Sequence, residues 1–68
     1  MKESRTKIGA QLRAIREERG LSTRALGEMC NLAHSHIVRI EGGKYNVQLD
    51  TLSAIAEALD AEIKIEKK

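Results

Sequence analysis

The chain has 68 residues, a formal charge of +2, 41% apolar residues and a single cysteine. That is one domain at most, marginally stable alone, and too small to enclose the several-hundred-Å³ pocket that ordinary enzymes use. The apolar share rules out a disordered tail, and the lone Cys30 rules out an internal disulfide and fits a reducing compartment.

The first helix is expected from about Thr6 to Arg19. Ile8, Leu12 and Ile15 recur at i, i+4 and i+7, with Arg16 beside that stripe. Gly20 suits a left-handed cap. Ser22 is a strong N-cap, and a short second helix follows from Thr23 to Cys30. Leu26 and Cys30 face inward on it, and Gly27, in mid-helix, suggests that another helix crosses there. Asn31 suits a tight left-handed turn and Leu32 plugs it. The third helix runs from about Ala33 to Glu41, with Ile37 and Ile40 inward, until Gly42-Gly43 breaks it. A fourth helix runs from Leu49 or Asp50 to Leu59, with Leu52, Ile55, Ala56 and Leu59 as its stripe and Asp50 complementing its dipole.

The tail then changes period. Ile63 and Ile65 alternate with Glu62, Lys64 and Glu66, the pattern of a short strand. No other strand in the chain could pair with it, so the economical partner is the same strand of a second copy. The alternative is a frayed helical extension, with Leu59 and Ile63 four apart. The expected division is a four-helix domain over 1–60 and a dimerising tail over 61–68.

The segment from Ser22 to Glu41 has helix-turn-helix anatomy: cap, short helix, tight turn, second helix. Three pieces in order, LRAIREERGLS, I-x-R-I-E-x-G-K over Ile37 to Lys44, and LDTLSAIAEAL, make the chain resemble the phage-repressor (lambda-repressor-like, Xre-type) helix-turn-helix family from about Ile8 to Leu59. The resemblance implies an all-α, four-helix domain, here with the short C-terminal strand added. Thr23, Gly27, Asn31 and Ala33 depart from the family pattern, which more often has Gln, Ala, Gly and Ser. Ala33 cannot cap the third helix through a side chain.

With Ile37 and Ile40 inward, His34, Ser35, Val38 and Arg39 face outward at about 100° per residue. An α-helix fits the major groove of B-DNA, so this face is the expected reading head. The resemblance places family base contacts at Ala33, His34, Ser35 and Arg39. Arg39 can bridge guanine O6 and N7, His34 and Ser35 can each make one contact, and Ala33 and Val38 can meet thymine methyls. The bland alternative for Arg39 is a solvated ion pair, and for His34 a phosphate or water contact. Ser22, Thr23 and Arg24 at the start of the second helix, with His36, Lys44, Tyr45 and Asn46, are the expected phosphate contacts. Arg24 and Lys44 could equally be plain solubilising charges. The resemblance also implies a partly buried structural ion pair, Arg16 with Glu41.

Other classes fit poorly. Glu17 and Glu18 are helix neighbours that do not face each other, and Cys30 reads as a small hydrophobe, so catalysis is not expected. His34 and His36 point to opposite sides, so no metal or other cofactor is expected. The polar start MKESRTKIGAQ shows no signal peptide, and no apolar run nears the roughly 20 residues of a membrane span, so the expected location is cytoplasmic. The expected function is sequence-specific binding of double-stranded DNA by a homodimer at a near-palindromic operator, as a repressor. The alternative is an antitoxin that also binds a toxin protein, hinted at by the tail EIKIE.

Overall fold

The computed structural model describes residues 2–67; Met1 and Lys68, which belong to the expected domain and tail, lie outside the described residues. Four helices follow in order: α1 (Lys2–Glu18), α2 (Thr23–Cys30), α3 (His34–Glu41) and α4 (Leu49–Ala58). The first begins a turn earlier than the apolar stripe suggests. No breaker lies before Thr6, and Glu3 complements the dipole of the extra turn. Ala33 is the N-cap of α3 and not its first residue, and its side chain makes no capping bond.

The core is aliphatic, as a chain with one aromatic residue requires. Leu12, Leu26, Ile37, Ile40, Leu52, Ile55 and Leu59 form one buried cluster drawn from all four helices. Burying a side chain of this size stabilises by about 1.5–3 kcal/mol, and Leu26, Ile37, Ile55 and Leu59 are fully buried. Ile15, Leu21, Cys30 and Leu32 pack against the cluster from its rim. Ile8, expected on the inner stripe, is 36% exposed and lines an open cleft beside Tyr45, Val47 and Leu52.

One device ends three of the helices. Leu21 N–H donates to the Arg16 carbonyl, Leu32 N–H to the Gly27 carbonyl and Ala61 N–H to the Ala56 carbonyl, at 3.1, 2.7 and 2.8 Å. The residue before each donor is left-handed: Gly20 at φ 70°, Asn31 at φ 59° and Asp60 at φ 55°. These are Schellman closures, and the apolar residue after each left-handed one folds back on the core. The closure at Asp60 decides the fate of the tail. It stops α4, so the helical extension through Ile63 does not form. Residues 61–67 carry neither helix nor paired strand in the single chain.

Two glycines show where backbones meet. A Cβ on Gly27 would lie 2.5 Å from the Leu32 carbonyl oxygen. The close neighbour there is the following turn, not the crossing helix expected from sequence. The close helix approach is at Gly9 of α1, where a Cβ would lie 2.5 Å from the Ile40 carbonyl oxygen and 2.6 Å from that of Glu41. Gly9→Ala would raise helix propensity by about 1 kcal/mol but force rigid backbone apart, at about 1–3 kcal/mol. The expected outcome is a net loss of stability, read as a lower urea midpoint. A raised midpoint would show that α1 and α3 can separate freely.

Candidate nucleic-acid interface

The site is built on α3. Its inner residues Ile37 and Ile40 are buried, and this fixes the rotation of the helix about its axis. Ala33, His34, Ser35, Val38 and Arg39 are then all exposed, and Val38 keeps 50% of its surface in solvent. An exposed valine between a histidine and an arginine is poorly explained by packing, but it suits a surface that meets thymine methyl groups.

α2 packs against α3 across the turn at Asn31, the arrangement of a helix-turn-helix pair. Ser22 caps α2: its Oγ accepts from the Ala25 N–H at 3.0 Å. A hydroxyl that accepts still has its own hydrogen to donate, so Ser22 can cap the helix and contact an anion together. Ser22, Arg24, Lys44 and Asn46 are exposed, and Thr23 and Tyr45 are half-buried.

His36 and Tyr45 sit differently from the other expected phosphate contacts. The two rings meet edge to face, centroids 4.8 Å apart and planes at 74°. His36 Nε2 is buried without a hydrogen-bond partner among the described residues, so that nitrogen does not face solvent. The Arg39 guanidinium carbon also lies 5.2 Å from the Tyr45 ring centroid. A packing contact of this kind carries no periodic sequence signal, since it joins a helix to a loop beyond two glycines.

Arg16 and Glu41 meet at the other end of α3. Arg16 Nε donates to Glu41 Oε2 at 2.7 Å and Nη2 to Oε1 at 3.1 Å, a two-bond fork. Nη1 donates to the Leu21 carbonyl at 2.7 Å, in the turn between α1 and α2. One guanidinium therefore joins α1, the turn and the end of α3. The hydrogen bond to Glu41 raises the Arg16 pKa above its ordinary value, so the cation persists at every accessible pH.

The remaining candidates for chemistry are scattered. Cys30 is half-buried with Sγ 3.9 Å from the Ala54 carbonyl, and burial raises its thiol pKa, which disfavours the reactive thiolate. Among the described residues no group of three or more His, Cys, Asp or Glu could hold a metal ion. An open cleft of about 170 Å³ lies between the start of α1 and the loop after α3, with Arg5, Ile8, Tyr45, Val47 and Leu52 in its walls. That is below the roughly 300 Å³ at which ordinary ligand pockets begin. Among the described residues no helix is long and apolar enough to cross a membrane.

A short helix with one exposed face, set against α2 across a tight turn on an aliphatic four-helix body, defines the class: this is a helix-turn-helix domain. The helix-turn-helix domain family matches residues 7–63. The solved restriction-modification controller protein C.AhdI from Aeromonas hydrophila is similar, with TM-score 0.84, 35% identity, and 88% of this chain and 91% of that one covered. The immunity repressor protein of Bacillus phage phi105 is 41% identical over 82% of this chain and 39% of its own length. An uncharacterized HTH-type transcriptional regulator of Sinorhizobium fredii is 43% identical over 90% of this chain and 31% of its own. The chain thus spans about a third of the length of these two relatives. The chain belongs to the phage-repressor-like helix-turn-helix family.

Proposed function

We propose that this protein is a transcription regulator that binds double-stranded DNA as a homodimer, acts as a repressor, and reads base edges with α3. The observation that carries this is the outward face of α3: five consecutive or near-consecutive positions, Ala33 to Ser35, Val38 and Arg39, all exposed on a helix anchored by Ile37 and Ile40. Arg39 is the principal base reader, with His34 and Ser35 beside it and Ala33 and Val38 against methyl groups. Ser22, Thr23, Arg24, Lys44 and Asn46 hold phosphates on either side. The similarity to a phage immunity repressor and to a controller protein supports regulation by DNA binding. It does not favour the antitoxin alternative.

Ile63 and Ile65 supply the dimer contact. They are 45% and 96% exposed in the single chain, on a segment freed by the Asp60 closure. Two copies joined there would place two α3 helices on half-sites about one helical turn apart. Selection from a random duplex pool is expected to return a near-palindromic site with about 10 bp between half-site centres. The chain truncated after Asp60 is expected to sediment as a monomer and to lose most of its affinity for that site. A pool with no enriched sequence would refute base reading. An unchanged sedimentation profile after truncation would refute pairing through the tail.

A further inference from the structure

We infer that Tyr45 is a positioning residue for Arg39, and that the Tyr45 ring, not a hydroxyl contact to phosphate, is what it contributes to sequence selectivity. The inference deepens the proposed function and rests on Arg39 reading a base. Arg39 is exposed, and among the described residues no salt bridge or side-chain hydrogen bond orients it. A free arginine samples many rotamers, and ordering such a side chain on binding opposes affinity. The contact that restrains it is the face of Tyr45, 5.2 Å from the guanidinium carbon, a cation–π distance.

Tyr45 is itself held. His36 meets its ring edge to face at 4.8 Å, and the ring packs on the rim of the aliphatic core. The chain His36–Tyr45–Arg39 therefore runs from α3 out to the loop and back to α3. His36 and Arg39 are three apart, so both lie on one side of the helix, and Tyr45 meets His36 edge to face and Arg39 over its ring. The loop after Gly42-Gly43 thus acts as a brace for the reading helix. This brace sets the angle at which Arg39 leaves the helix, which is the quantity a two-bond contact to guanine depends on. The position of Tyr45 also differs from that of Lys44 and Asn46, its exposed neighbours: half-buried, it spends its ring on the protein.

The test is a double-mutant cycle on Arg39 and Tyr45. Its readout is the ratio of affinities for the selected site and a scrambled duplex, at one salt concentration. Tyr45→Phe keeps the ring and is expected to leave the ratio unchanged. Tyr45→Leu removes the π face and is expected to lower the ratio by about threefold to fivefold, at the base pair that Arg39→Ala relaxes. In the Arg39→Ala background, Tyr45→Leu is expected to have no further effect on the ratio. Thermal melts identify any variant that fails to fold, and Tyr45→Phe carries the test in that case. An equal loss on both duplexes with Tyr45→Phe would overturn the inference in favour of a hydroxyl contact to phosphate. So would the same Tyr45→Leu loss with or without Arg39. If Arg39→Ala alone leaves the ratio intact, it is base reading by Arg39 that fails.

Discussion

Arg39→Ala is expected to weaken binding to the selected operator by about tenfold to a hundredfold while leaving affinity for scrambled duplex within about twofold. The first figure is the discrimination of a two-bond arginine–guanine contact, about 1–3 kcal/mol. The second follows because a side chain on a base edge contributes little to the sequence-independent part of binding, which comes from phosphate neutralisation. Arg39 is exposed and among the described residues its side chain forms no hydrogen bond with the body, so its removal spares the core and the melt should barely change. Arg39→Lys should recover little of the lost selectivity, since an ammonium is a point charge without the planar fork. Fluorescence anisotropy on the two duplexes over a salt series separates the outcomes. An equal loss on both, with the salt slope reduced by about one, would mean that Arg39 grips phosphate and that the reading face lies elsewhere.

The second large effect is on the fold. Glu41→Ala is expected to destabilise the protein by about 3–5 kcal/mol, because it strands a charge that is taken out of water. The side chains of Arg16 and Glu41 are 11% and 7% exposed, so neither has bulk solvent to fall back on. A chain this small has on the order of 5 kcal/mol of total stability, so the variant should keep only about 0–2 kcal/mol and melt close to 25 °C. Arg16→Ala should cost a similar amount, since it strands the Glu41 carboxylate, the less exposed partner. Replacing both, Arg16→Met with Glu41→Leu, should recover most of the loss, because apolar isosteres need no partner. Circular dichroism during urea titration reads all three. A Glu41→Ala midpoint close to that of the parent chain would show that the pair is ornamental and that packing alone joins α1 to α3.

Much of the architecture was legible in the residues because helices announce themselves locally. The stripes of α2, α3 and α4, the Ser22 cap, the Asn31 turn and the Gly42-Gly43 break depend on neighbours within a turn or two, and these elements lie within a residue of their expected bounds. The outward face of α3 followed from two isoleucines and the helical period. The early start of α1 was not legible, because its first turn is polar on every side and offers no apolar stripe. The stop of α4 near Leu59 was expected, but its mechanism was hidden: the left-handed turn at Asp60 depends on Ala61 finding the core.

What the sequence by itself determined is the set of four helices, the aliphatic core and the identity of the residues on the outward face of α3, since each is encoded by spacing along the chain. Only the tertiary structure decided that Gly9 is where α1 lies against α3, that Arg16 also holds the Leu21 carbonyl, and that the Tyr45 ring lies by Arg39 while the His36 Nε2 is buried. Each of these is a meeting of segments far apart in the chain. Sequence period fixes which side of a helix faces in, but the depth and angle at which two segments meet are set by the packing of all of them together.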